Sequence, residues 1–382
     1  MTMFLRNAWY PAIWSRELKD HPIGRTFLGD KVVLFRTTGG RAAALADCCC
    51  HRAAPLSKGN VAGEYLACGY HGLKFDVTGQ CVEVPGQSVI PRGANVRSYP
   101  VHERWNVVWI WMGQPEKADE SAIPDMPWLA DPGWVATPGY LHLNSNYQFL
   151  IDNLLDVTHA AYVHKNTLAG DPREATAPTK TERLGDGVRV GRWLIDVAPP
   201  PLFAKAGSFG GNVDRWQFVT WKPPSTVYLD VGCAETGTGA PEGDRGKGIS
   251  IWSNHLITPE SERSSHYLFS FARNFRLADS EMSKLLYEGS KATFLEDAEM
   301  LEGVQRNRIG GVARWPYRPD RGCGSTAGAP NIEKPDQRGA VLCRSALSRK
   351  SRTGQLFFAI IGQPPSASGR KACRPGTVLR SL

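Results

Sequence analysis

Two short segments constrain this chain more than anything else in it. Cys49-Cys50-His51 is followed, after sixteen intervening residues, by Cys68-Gly69-Tyr70-His71. Each segment brings one thiol and one imidazole within a few residues, giving the pattern C-x-H-x16-C-x-x-H. Four such donors close together in sequence converge on one point only if the chain between them turns back tightly. The flanking residues are suited to that. DCCCHRAAPLSKG contains a Pro-Leu-Ser-Lys-Gly turn, and Gly69 and Gly72 bracket the second half, where they would let backbone N–H groups approach a bound group closely. The segment around these turns reads as β structure. RTFLGDKVVLFRT, a turn at Gly39-Gly40 and RAAALADC predict one hairpin, while LKFDV, Thr78-Gly79-Gln80 and CVEVP predict a second.

Two thiolates with two imidazoles are the ligand set of a Rieske [2Fe–2S] centre, one iron held by sulfur and the other by nitrogen. Replacing two thiolates by neutral His raises the reduction potential to about −150 mV or above, against roughly −400 mV for an all-Cys plant-type cluster. Zinc is the competing occupant. Cys2His2 zinc sites open with C-x2–4-C and keep both His together, whereas here each half pairs a Cys with a His. The offsets select Cys49, His51, Cys68 and His71 as cofactor ligands. Cys48 and Cys50 are left as small buried side chains and Cys81 as a core residue. The chain has nine Cys, an odd number with three consecutive, which argues against a disulfide framework and for a reducing compartment.

A second constellation lies in DNLLDVTHAAYVH, residues 152–164. A mononuclear non-haem Fe(II) site takes two His and one carboxylate on one face and leaves positions open. His159 and His164 are five apart, about 140° around a regular helix, so a helix there must end or bulge for both rings to meet one ion. The carboxylate is sought on a later helix, ATFLEDAEMLEGVQRN, where Phe294, Leu301 and Val304 form an apolar stripe that includes Asp297. Glu296 is about 100° away and is expected to face outward. Asp156 is either a competing ligand or an acceptor for the His159 ring N–H, and the second reading is preferred.

Around these sites the chain reads as an α+β protein. Residues 1–115 form a small β domain, and residues 113–140, rich in Pro and acidic residues, form a linker. Residues 116–350 form a second domain of strands followed by a long helix over 279–307, with Asp279 or Ser280 as N-cap. Residues 351–382 form an atypical basic extension. From Arg318 onward there are twelve Lys/Arg against three Asp/Glu, a charge of +9, so the rest of the chain sums to −1. The only aromatics nearby past Tyr317 are Phe357 and Phe358, inside an apolar run, so no nucleic-acid partner is expected. No run of eighteen apolar residues predicts a membrane span, and the N-terminus does not read as a signal peptide; a cytoplasmic location is expected.

The two motifs together, C-x-H-x16-C-x-x-H and then Asn153, Asp156, His159 and His164 as N-x2-D-x2-H-x4-H, resemble the oxygenase component of Rieske non-haem iron aromatic oxygenases. LRNAWYPAIW, GYHGLKFD, NVVWIWMG, DRWQF, ITPES and EDAEMLEGVQRN are similar to the vanillate O-demethylase branch; Cys-Cys-His-Arg and TGTGAPEG resemble toluenesulfonate methyl-monooxygenase members. The resemblance implies an N-terminal Rieske β domain and a C-terminal helix-grip catalytic domain, an antiparallel sheet with helices. It implies iron ligands His159, His164 and Asp297, with Asn153 near the iron. It also implies a homotrimer in which Asp156 couples His71 of one chain to His159 of the next. The implied partners are an NAD(P)H-dependent reductase, O2 and a small aromatic substrate, a methoxy- or methyl-substituted acid. Asn254 and His255, before the ITPES turn, are candidates for orienting its acidic or phenolic group. Ring hydroxylation and aryl-ether cleavage are alternatives within the family. A Rieske electron carrier or a zinc hydrolase would each leave one constellation idle. Departures are Cys50 where many relatives have Pro, Ala53 where they have Gly, and the sequence after Arg318.

Overall fold

Strand-forming sequence dominates residues 9–111, and the computed structural model resolves it into three small antiparallel sheets. The structure describes residues 4–165, 167 and 171–309. The basic extension, the departing sequence after Arg318 and the expected 350/351 boundary lie outside those residues. In chain order the first strands are β1 (Trp9–Trp14), β2 (Ile23–Phe27), β3 (Asp30–Arg36), β4 (Ala42–Ala46), β5 (Asn60–Ala62) and β6 (Tyr65–Ala67). They continue with β7 (Lys74–Phe75), β8 (Cys81–Glu83), β9 (Ser98–Tyr99), β10 (Val101–Arg104) and β11 (Val107–Trp111). The sheet orders are β1-β11-β10, β2-β3-β4-β9 and β5-β6-β7-β8. Both hairpins expected from sequence are present: β3 pairs β4 with Arg36 opposite Ala42, and β7 pairs β8 with Lys74 opposite Glu83.

The second half is one seven-stranded antiparallel sheet. Its strands are β12 (Val135–Leu143), β13 (Lys180–Leu184), β14 (Gly187–Val197), β15 (Val213–Lys222), β16 (Thr226–Glu235), β17 (Ile249–Pro259) and β18 (Ser265–Arg273), in the order β12-β18-β17-β16-β15-β14-β13. The helices are α1 (Tyr147–Leu155), α2 (Ala160–Val163), α3 (Pro201–Ala206) and α4 (Ser280–Ile309). α4 lies across β12 and β18 and against α1 and α3. Its start is fixed by Asp279, whose carboxylate accepts the Met282 N–H at 2.9 Å. Two expectations are corrected. The last part of the 113–140 linker is β12, because VATPGYLHL pairs in unbroken register with β18, Val135 opposite Arg273 through Leu143 opposite Ser265. Val304 is 37% exposed, so the inward stripe of α4 is carried by Phe294, Asp297 and Leu301.

The halves share a core. Trp9, Trp14, Trp109 and Trp111 pack with Leu256, Leu268 and Ala272 of β17 and β18. Trp14 Nε1 donates to the Gly139 carbonyl at 2.9 Å, and the Leu28 and Gly29 N–H groups donate to Pro259 and Glu260 carbonyls. No helix among the described residues is long and apolar enough to cross a membrane.

Candidate cluster and iron sites

The two halves of the first motif fold as matched loops. After β4, the Cys49 N–H donates to the Ala54 carbonyl (2.8 Å) and the Ala53 N–H donates back to the Cys49 carbonyl (2.9 Å). Between β6 and β7, Cys68 N–H donates to Leu73 and Gly72 N–H donates to Cys68, at 2.8 and 2.9 Å. The fifth residue of each loop is left-handed, with φ of +56° at Ala53 and +75° at Gly72. Gly69 is demanded by a close approach, since a Cβ there would lie 2.5 Å from the Lys58 carbonyl oxygen. The result is two buried thiols, Cys49 and Cys68, close enough to interact, and two exposed rings, His51 and His71, with centroids 4.6 Å apart. Burial pushes the Cys49 thiol up to about 11. Paired thiols on the inner side and paired imidazoles on the outer side fit a two-iron cluster ligated by sulfur at one end and nitrogen at the other. Cys48 and Cys50 were expected to be buried; both are exposed, because the loop turns outward on either side of Cys49. Cys81 is in the core as expected.

The second motif folds as a broken helix. α1 ends at Leu155, and α2 is a single turn with His159 as its N-cap residue and His164 as its C-cap residue. Flanking one turn rather than lying on a continuous helix brings the two Nε2 atoms to 3.2 Å. Asp297 Oδ1 stands 3.4 Å from His159 Nε2 and 3.2 Å from His164 Nε2. His164 and Asp297 are each 3% exposed. Each ring presents its other nitrogen to a group that only accepts: His159 Nδ1 to the Asp156 carbonyl, and His164 Nδ1 to Glu296 Oε2 at 2.8 Å. Nδ1 therefore carries the hydrogen, and both Nε2 atoms present lone pairs. Two lone-pair nitrogens and a carboxylate oxygen within 3.4 Å of one another repel unless a cation lies among them. That donor chemistry fits a ferrous ion held by two His and one carboxylate. Burial alone would lower the His164 pKa, but the Asp297 and Glu296 carboxylates outweigh it and the net shift is upward.

Several sequence expectations change here. Asp156 does serve the His159 ring, but through its main-chain carbonyl; its carboxylate instead accepts the Thr158 N–H (3.1 Å) and hydroxyl (2.6 Å). Glu296 does not face away. Its longer side chain reaches His164 and also accepts the Thr167 hydroxyl at 3.0 Å, because the α2 turn packs beside α4 on that flank. Asn153 Nδ2 donates to Asp297 Oδ1 at 3.1 Å, consistent with its expected place near the iron.

Side-chain alternation on the large sheet builds a mostly apolar cavity beside the triad. Arg215 and Gln217 of β15, Leu229 and Val231 of β16, Ser253 and His255 of β17 and Phe271 of β18 share its wall with Phe203 and Phe294. His255 and Asn254 are adjacent on a strand and so face opposite ways. His255 lines the cavity. Asn254, expected to orient substrate, instead faces the shared core, accepting from Trp128 Nε1 (2.9 Å) and donating to Ser270 Oγ (3.1 Å), and does not line the cavity. Burial lowers His255 to about 3, so it is neutral at pH 7. Arg215 and Gln217 lie in DRWQF, a run that resembles the family, but nothing in its pattern marks either as a cavity residue.

Residues 8–100 match the Rieske [2Fe-2S] domain, and residues 143–324 match the vanillate O-demethylase oxygenase C-terminal domain. A putative toluene-4-sulfonate monooxygenase system iron-sulfur subunit of Comamonas testosteroni is 43% identical over 320 residues, 83% of this chain and 91% of that protein. The chain belongs to the Rieske oxygenase family. A vanillate O-demethylase oxygenase subunit of a Pseudomonas sp. is 39% identical over 80% of this chain and 88% of its own length. Dicamba monooxygenase bound to 3,6-dichlorosalicylic acid superposes with a TM-score of 0.76 at 37% identity, covering 80% of this chain and 89% of the other. The same enzyme with non-heme iron and dicamba gives 0.71 at 35% identity, over 82% of this chain and 91% of that one. The fold is thus an N-terminal Rieske domain followed by a catalytic domain of antiparallel sheet and helices. Membership makes the chain an oxidoreductase, the oxygenase component of a multicomponent system. Its cofactors are a Rieske [2Fe-2S] cluster and non-haem iron.

Proposed function

We propose that this Rieske oxygenase oxidises the methyl or methoxy carbon of an aromatic acid, with Cys49, His51, Cys68 and His71 holding the cluster and His159, His164 and Asp297 holding the iron. When bound, the cluster supplies single electrons and the ferrous ion activates O2, so that one oxygen atom enters a C–H bond and the other leaves as water at the cost of two electrons and two protons. The observation that carries the reading is the donor triad itself, three lone-pair atoms within 3.4 Å opening on a largely apolar cavity. The chain's own residues do the positioning. The Asp156 carbonyl and Glu296 fix both imidazoles with Nε2 inward, and Asn153 holds the Asp297 oxygen. Phe203, Phe271 and Phe294 keep water from the cavity and receive an aromatic ring, with neutral His255 on the same wall. A hydroxylated O-methyl is a hemiacetal and collapses to a phenol and formaldehyde; a hydroxylated C-methyl stays as a benzylic alcohol.

The chain is further proposed to act as a homotrimer in the cytoplasm. Exposed His51 and His71, with Tyr70 63% exposed beside them, would face a neighbour's Asp156, and NAD(P)H is a cytoplasmic reductant. A reductase-coupled screen of methoxy- and methyl-substituted aromatic acids tests the function. Substrate-dependent O2 uptake with formaldehyde or benzylic alcohol as product is expected; ring diols as the only products would replace this reading with ring hydroxylation.

A further inference from the structure

Two buried arginines stand on the cavity side of β14 and β15, and they are not equivalent. Arg192, 2% exposed, spends its donors on protein: Gln217 Oε1 at 2.6 Å, the Val157 carbonyl at 3.0 Å and the Glu174 carbonyl. Arg215, 3% exposed, directs Nη1 to Glu174 Oε1 at 2.5 Å, but its Nε–H is buried with no acceptor. Arg215 lines the same cavity as His159, His164 and Asp297. The two guanidiniums share the Glu174 carboxylate, whose other oxygen is 4.0 Å from Arg192 Nη2. Nearby acids do not restore the balance. Asp214 alternates to the opposite face, where it accepts from the Asp196 N–H (3.0 Å) and Thr236 hydroxyl (3.3 Å). Asp156 acts on Arg192, not Arg215, and its Oδ1 is taken by Thr158. A buried cation that lines a cavity and keeps an unused donor calls for an anionic ligand.

His255, the sequence-based candidate for that task, is already engaged. Its Nδ1 meets the Tyr267 hydroxyl and its Nε2 lies 2.9 Å from Ser253 Oγ. It is neutral and offers an anion no charge.

We propose that Arg215 is the specificity residue for the substrate's acid group, its guanidinium donating to a carboxylate or sulfonate oxygen while the aromatic ring fills the apolar part of the cavity. This rests on the oxygenase reading above and adds how the acid is selected. The pairing is charge-assisted, so an acid binds in strong preference to its neutral isostere.

The test uses iron-replete holoenzyme under anaerobic conditions without reductase, so that binding is read without turnover. Dissociation constants are measured by equilibrium dialysis for toluene-4-sulfonate against toluene-4-sulfonamide, and 4-methylbenzoate against 4-methylbenzamide. The expected result is at least about tenfold tighter binding of the acid in one or both pairs, the preferred pair naming the acid class. Arg215→Gln should abolish the preference while leaving amide binding and cluster absorbance in place. Should Arg215→Gln fail to fold, Glu174→Gln decides: removing the competing carboxylate should strengthen the acid preference, and an unchanged or weaker preference counts against Arg215. A wild type with no acid preference, or no acid binding at millimolar concentration, or an Arg215→Gln variant that retains the preference, overturns the proposal. Failure of the oxygenase reading would show separately, as absence of substrate-dependent O2 uptake with acidic and neutral aromatics alike.

Discussion

Glu296 shows how much of this site rests on single atoms outside the ligand set. Its carboxylate takes the Nδ1 hydrogen of His164 and so leaves Nε2 as the lone-pair atom aimed at Asp297 Oδ1, 3.2 Å away. Carboxylates in this position raise ligand basicity, and their loss typically costs about 10–100-fold in metal affinity. Glu296→Ala should therefore lose iron to a chelator about 10–100-fold more readily while keeping the cluster's visible absorption. Iron retention equal to wild type would deny Glu296 that role. Helical geometry correctly put Asp297 inward, but 100° of separation was too coarse to place Glu296. A glutamate side chain spans that arc when a partner packs on the same flank, and nothing in the sequence shows that α2 does so.

At the scale of elements, the two ligand loops are the same device used twice, and Ala53 is its strained copy. Where Gly72 takes φ +75° freely, Ala53 holds +56° with a Cβ. A left-handed non-Gly residue costs about 1–2 kcal/mol, part of which is offset by the lower unfolded-state entropy of alanine. Ala53 is exposed, so no packing is lost on substitution. Ala53→Gly should thus stabilise the holoprotein by about 0.5–1 kcal/mol in thermal or denaturant unfolding, with unchanged cluster absorbance; a lower midpoint would contradict the account. The loops, their hairpins and the long helix were legible because turn residues and period-two or helical patterns report on local geometry. The cavity was less so. Period two does establish that Asn254 and His255 cannot face one pocket, yet which of them faces it depends on where α4 and the tryptophan core lie. β12 was missed because Pro138 and Gly139 disguise an edge strand.

Over the whole molecule, the cluster half and the catalytic half are fastened by buried groups that resist protonation. His266 of β18 contacts the Thr26 carbonyl of the first half through Nε2 at 3.0 Å and the Tyr140 hydroxyl through Nδ1 at 2.9 Å. Burial, aided by Arg25, lowers its pKa to about 4, while in the unfolded chain it returns to about 6.5. Between those values only the unfolded chain binds the proton. The stabilisation is fully present above about pH 6.5 and falls by about 1.4 kcal/mol per pH unit toward pH 4. Denaturant unfolding from pH 7 to 5 should therefore be less steeply pH-dependent in His266→Gln than in wild type, and parallel slopes would rule this contribution out. The central claim is that a histidine-and-cysteine cluster feeds a separate iron held by His159, His164 and Asp297. Iron and acid-labile sulfide counted in wild type and in Asp297→Ala test it most directly. The account predicts about three irons and two sulfides per wild-type chain, and an Asp297→Ala protein that keeps the cluster's colour, its sulfide and two irons but loses the third. A third iron and full turnover retained without Asp297, or a wild type free of sulfide, would contradict it.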